Sequence, residues 1–274
     1  MDFFHDLEAS EVALTQSAIR ALSEAGLCPQ LVERFRSPDS FQNPENRNFM
    51  FEARFAYELL SAGVAFEYEH AAAVGNSTLD FKVASDPAWL VELVGARLSQ
   101  KAFDSTEVHD HGDITTASQQ MDDAHESWRL INLVISKASN NGQPWKFPSP
   151  SPGAYHMILI DVRSYLHTAD HVDYSEIAYG VRGLPKGWPP ELIKSNPKTS
   201  EPIGGLFDDT NTTSGAEHLR ARVHFAVFVR EQSYEAGEIS SRLMPFPNWA
   251  FFPDQSTAQK VFDAFPLRAW SMQK

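Results

Sequence analysis

Apolar residues return at helical spacing over residues 10–25, where Val12, Ala18, Ile19, Leu22 and Ala25 share a face. Ser10 suits the N-cap of that helix, and Gly26 suits the position after its end. The polar, proline-bearing run 37–48 reads as a loop. A second helix is predicted over 48–62, ended by Gly63. Three strand-like runs follow at 64–70, 77–84 and 88–95, separated by the turn signals Gly75-Asn76 and Asp86-Pro87. After a polar stretch at 99–114, a long helix is predicted over 115–138, with Ala117, Met121, Ala124, Trp128, Ile131, Ile135 and Ala138 on one face. Residues 139–154 are rich in Pro, Ser and Gly and read as a loop. Tyr155–Val162 lacks clean alternation and reads as a strand buried on both faces. The Gly-, Pro-, Asn- and Thr-rich run 180–217 reads as an insertion or long loop, 220–230 as a further strand, and 256–265 as a short closing helix.

Helix, three strands, helix, strand is the order of an α/β fold with a mixed central sheet flanked by helices. It does not fit a regular βαβ dinucleotide fold, and neither GxGxxG nor GxxxxGK[ST] occurs. The expected organisation is an amino-terminal helix and loop at 1–45, a core at 46–165, and a carboxyl-terminal elaboration at 166–274, all in one globular unit.

Composition narrows the classes. The chain has 274 residues, 42% hydrophobic and 22% charged, which is enough for a packed core. One cysteine, Cys28, excludes an intrachain disulfide and a multi-cysteine zinc site, and suggests a reducing compartment. No signal-peptide pattern opens the sequence and no transmembrane run occurs, so a cytoplasmic protein without a membrane partner is expected. The net charge of −13 (23 basic minus 36 acidic residues) argues against a broad phosphate-binding face. It leaves room for a small basic channel or for a substrate held through metal ions.

Three acids stand where acids are expensive. Glu52 falls among Phe49, Phe55, Ala56, Leu59 and Leu60 on the wheel of the second helix. Asp80 alternates with Leu79, Phe81 and Val83 in one strand-like run, and Glu92 interrupts the apolar run WLVELV in the next. An unpaired buried carboxylate costs about several kcal/mol. A hard divalent cation such as Mg²⁺ or Mn²⁺, which prefers oxygen ligands, turns that cost into binding. If the two runs form a hairpin, Asp80 and Glu92 converge in the manner that metal-assisted phosphodiester hydrolysis requires.

With these residues in this order, the chain resembles the PD-(D/E)XK nuclease superfamily, whose restriction-endonuclease-like core runs αβββαβ. The resemblance spans about residues 48–162. It implies that Glu52 is the helix acid, Asp80 the motif aspartate and Glu92 the second acid, together holding Mg²⁺ or Mn²⁺ for cleavage of nucleic acid, DNA rather than RNA. Leu79 replaces the family's proline, and Val94 stands at the place of the motif lysine. That lysine is expected to orient the attacking water and stabilise charge. Substitutes must come from elsewhere: Lys82 on the Asp80 face is favoured slightly over Lys137 on the long helix, and Gln120, within that helix's apolar stripe, faces inward. Val94 and the net charge equally fit a catalytically inactive relative that binds protein or nucleic acid.

Other features carry plainer readings. His109 and His111 in Glu107–Asp113 read as a solvated loop rather than a transition-metal site. No GxSxG elbow supports a serine hydrolase. Cys28 reads as packing, and the aromatics Phe246, Trp249, Phe251 and Phe252 close a core more readily than they stack bases.

Overall fold

Strand β3 (Ala88–Arg97) organises the molecule, because its residues are apolar on both faces. It pairs antiparallel with β2 (Thr78–Val83), which pairs antiparallel with β1 (Phe66–Ala71). On its other side β3 runs parallel to β6 (Ala154–Ser164), with Glu92 opposite Ile158. Strand β6 is parallel to β7 (Phe225–Val229), and β7 is antiparallel to β8 (Leu243–Pro247). The result is one six-stranded mixed sheet, ordered β1-β2-β3-β6-β7-β8, flanked by helices. The computed structural model describes residues 3–72, 76–97, 106–110, 115–119, 123–138, 146–164, 171–229 and 243–267.

Alternation along the strands makes two apolar cores. Trp89, Val91 and Leu93 share the first with Ile19 and Leu22 of α1 (Phe3–Glu24), Leu31 of α2 (Pro29–Arg34), Phe51, Phe55 and Leu59 of α3 (Arg47–Ser61), and Phe262 of α7 (Gln255–Phe262). Leu90, Val94 and Ala96 share the second with Leu130, Ile131 and Val134 of α4 (Asp123–Ala138), Tyr174 and Ile177 of α5 (His171–Tyr179), and Leu219 of α6 (Ala216–Arg222). Gly95 lets α3 close on β3, since a Cβ there would sit 2.7 Å from Asn48 Oδ1.

The carboxyl-terminal part continues the sheet rather than forming a separate layer. Strand β8 was not expected from the sequence: its two prolines argue against a strand, but it lies at the sheet edge, where a missing N–H is tolerated. The chain leaves β8 through Asn248, whose Nδ2 donates to Arg220 O (2.7 Å) and Val223 O (2.9 Å). Phe246, Phe251 and Phe252 pack inward, with Phe252 4.9 Å from Phe225 between ring centres. Trp249 alone of that group is exposed, stacked 6.3 Å from Tyr179.

Three expectations are corrected. The long helix begins at Asp123, and Thr115–Gln119 instead forms β5, paired antiparallel with β4 (Thr106–Asp110) from the run expected to be loop. The β-branched Thr115 and Thr116 favour a strand, whereas Ala117 and Met121 merely continue the helical spacing backwards. Residues 220–230 divide into the end of α6 and β7. The run 180–215 is the long loop expected, irregular apart from the 3₁₀ turns Gly180–Gly183 and Pro190–Leu192, and it is tied down: Asn211 Nδ2 donates to Gly204 O (3.0 Å) and Gly205 O (2.9 Å), and Arg220 Nη1 donates to Asp208 O (2.8 Å). Finally, Leu79 joins the second core while Phe81 and Val83 join the first, so the alternation expected across Asp80 is broken there. Glu69, in the middle of the facing strand, has a positive φ of 52°.

Candidate metal centre

The ladder between β2 and β3 runs from Val83↔Trp89 to Phe81↔Val91 and stops. Continued by one pair it would set Asp80 opposite Glu92. Instead the Asp80 side chain takes over the backbone's role: Oδ2 accepts the Leu93 N–H at 2.7 Å. The regular ladder ends at this point, with the Asp80 carboxylate set against the β3 backbone. Glu92 is fully buried on the face of β3 that carries Leu90 and Val94. Glu52 comes from α3, on the other side of the sheet, and is held there by Tyr68 of β1, whose hydroxyl donates to Oε2 at 2.7 Å.

The three acids sense one another, with Asp80 in the middle. Burial, and then the Asp80 charge, push Glu52 and Glu92 each up to about 8. Burial also raises Asp80, against the pull of Lys146, the Leu93 N–H and Lys137. Burial pushes the Tyr68 hydroxyl up as well, reinforced by Glu52, so it remains a donor. Two cations face the acids. Lys146 lies on the chain beyond α4, and its Nζ contacts Glu92 Oε1. Lys137, in the last turn of α4, acts on all three carboxylates without an ion pair to any of them.

Of the residues singled out from sequence, Asp80 bears electrostatically on Glu52 and on Glu92, and Lys137 bears on all three. Lys82 pairs elsewhere: its Nζ contacts Glu67 Oε1 at 2.9 Å, on the exposed side of β1 and β2. Sharing a face with Asp80 two residues away left Lys82 closer to Glu67, which is its cross-strand partner. Gln120 lies outside the described residues, as does His111. Cys28 is buried and its thiol is pushed up to about 12, first by burial, so it is inert at neutral pH.

Sequence reasoning missed Tyr68 and Lys146. Lys146 had a faint signal, being the lone charged residue of the Pro/Ser/Gly-rich run 139–154, next to the aromatic Phe147. Tyr68 had none, because a Tyr alternating with polar residues on an edge strand is ordinary.

The arrangement suits a hard cation. Glu92 Oε2 is buried and has no hydrogen-bond partner, and the available donors are all carboxylate oxygens. Among the described residues, no three His, Cys, Asp or Glu side chains already enclose a metal position. An ion held here would therefore draw Glu52, Asp80 and Glu92 closer together.

The chain matches no protein-family model, no curated protein and no solved structure. Among the described residues, no helix is long and apolar enough to cross a membrane.

Proposed function

We propose that this chain is a PD-(D/E)XK-like nuclease that hydrolyses phosphodiester bonds of nucleic acid, DNA before RNA, with Mg²⁺ or Mn²⁺ held by Glu52, Asp80 and Glu92. One observation carries the reading: where the β2-β3 ladder stops, Asp80 takes the Leu93 N–H and bears electrostatically on the buried Glu52 and Glu92, and Glu92 keeps one oxygen with no partner. A bound divalent ion would supply Lewis acidity and a water acidic enough to attack at neutral pH. The protein's own part is to hold its donors in place. The Leu93 N–H holds Asp80 and the Tyr68 hydroxyl holds Glu52. The order α3, β1, β2, β3, α4, β6 supports the same reading, with the β4-β5 hairpin inserted before α4.

Incubation with plasmid, single-stranded DNA and RNA in Mn²⁺ tests it. Cleavage by the wild type, lost in Asp80→Ala, is expected. Absence of cleavage on every substrate, or equal cleavage by Asp80→Ala, rejects it.

A second reading, a non-catalytic binding module on the same fold, is favoured by Val94, by the charge of −13 and by the lysine already seated on Glu92. It predicts negligible Mn²⁺ binding in calorimetry.

A further inference from the structure

The lysine expected on β3 is replaced by Val94, which is fully buried among the apolar residues of the second core. That position therefore supplies packing and no charge. The acids nevertheless need a cation to act on substrate, because three carboxylates alone repel phosphate.

We propose that Lys146 is a catalytic residue of this site, reaching from the chain beyond α4 to the place that Val94 leaves without charge; the inference rests on the nuclease reading above. Three observations support it. First, its Nζ contacts Glu92 Oε1, while Glu92 Oε2 remains without a partner. One oxygen of this carboxylate is taken by the ammonium, and the other would be free to hold a divalent ion. Second, its charge also bears on Asp80 and Glu52. Third, it is anchored. Its N–H donates to Ala138 O at 3.2 Å, at the end of α4. The next residue, Phe147, is buried, stacks on His156 at 5.4 Å, and accepts from Arg222 Nη1 through its carbonyl at 2.9 Å. A lysine needed only for neutralisation would require no such anchor. Its side chain is still 19% exposed, so a substrate phosphate can reach it.

In the reaction, water adds to phosphorus and the bond from phosphorus to the leaving ester oxygen breaks. One proton of the water ends on the leaving oxygen or in solvent. Lys146 stays protonated throughout. It donates hydrogen bonds to the water, and to the phosphoryl oxygens as charge builds on them.

The test pairs single-turnover DNA cleavage in Mn²⁺ with calorimetry of Mn²⁺ alone, for the wild type, Lys146→Met, Lys146→Gln and Lys146→Arg. Lys146→Met and Lys146→Gln should each cut about 100-fold more slowly or worse, the usual loss for one charge-stabilising donor. Both should bind Mn²⁺ as tightly as the wild type or more tightly. Lys146→Arg should recover part of the rate. Should Lys146→Met misfold, Lys146→Gln, which keeps a polar head, carries the test. Cleavage by either neutral variant at close to the wild-type rate overturns the inference and leaves the nuclease reading standing. So does loss of Mn²⁺ binding together with cleavage, which would make Lys146 a support for the ion site. So does a collapse in Lys137→Met alone. A wild type that binds no Mn²⁺ and cuts nothing removes both.

Discussion

Glu92 and Glu176 are both acids held at the second face of the sheet, and they end in opposite states. Glu176, on α5, belongs to a closed group. Lys194 Nζ pairs with Glu176 Oε2 at 3.1 Å and with Asp173 Oδ1 at 2.9 Å, and the Lys194 N–H reaches Glu176 Oε1 at 3.4 Å. Two acids share one well-placed cation, and their charges raise the Lys194 ammonium above its ordinary value against the pull of burial. Around Glu92 the supply of donors is incomplete. Asp80 adds its charge, one lysine makes direct contact, and one carboxylate oxygen has nothing. The first group has the form of a structural clasp between α5 and the run 180–215. The second has the form of a site that lacks a positive charge. Burial alone does not separate them, since both glutamates are buried; what separates them is whether the chain supplies each oxygen with a donor.

The largest test of this contrast is to break the clasp. Lys194→Met leaves Asp173 and Glu176 facing each other without a cation. Removing one partner of a buried pair costs about 3–5 kcal/mol. We expect a loss near the lower end, because Asp173 is 35% exposed, read as a drop in the urea midpoint with an unchanged slope. A loss under about 1 kcal/mol would mean that this group is as uncompensated as the other, and the contrast would fail.

The second test supplies what the Glu92 group lacks. Mn²⁺ at 100 times its dissociation constant should stabilise the wild type by about 2.7 kcal/mol, because ligand bound only to the folded state shifts the unfolding equilibrium. Glu92→Ala should abolish the gain. Lys194→Met should keep it in full, since its group lies outside the site. An equal Mn²⁺ gain in Glu92→Ala would place the ion elsewhere.

How far the sequence foretold this contrast depends on the kind of information each part needed. The sheet and the acids of α3, β2 and β3 were legible because each is a local pattern: a polar residue inside an apolar stripe or alternation shows without a fold. The cations were not. Lys82 looked right because it shares a strand face with Asp80, yet the cross-strand register hands it to Glu67, and register is not written in one strand alone. Lys146 is 54 residues from Glu92 and reaches it only because β6 runs parallel beside β3 and Phe147 is pinned against β6 at His156. The β4-β5 hairpin was hidden for a related reason: Ala117 and Met121 fit helical spacing, and nothing local outweighed it. Strand β8 was hidden by its prolines, which only an edge position permits.

The smallest expected effect runs against intuition and is the sharpest. Asp80 is the like charge that raises both Glu52 and Glu92, and its own hydrogen bond from the Leu93 N–H can be kept by an amide oxygen. Asp80→Asn should therefore raise the stability of the metal-free protein, by about 1 kcal/mol, as neutralising a strained functional residue often does. The pH dependence gives the sign independently. Glu52 and Glu92 have folded values of about 8, above the 4.5 of an unperturbed glutamate, so the folded state binds more protons than the unfolded chain between these limits. Their contribution to stability is whole below about pH 4.5 and is lost as pH rises through 8. Metal-free wild type should accordingly lose stability from pH 5 to pH 8.5 at these groups, and Asp80→Asn should lose less because its glutamates titrate lower. Thermal melts of both proteins across that range, with a chelator present, decide the matter. A destabilised Asp80→Asn with an unchanged pH slope would show that Asp80 is a structural acid satisfied by Leu93, of the same kind as Glu176, and that no cation is wanted between β2 and β3.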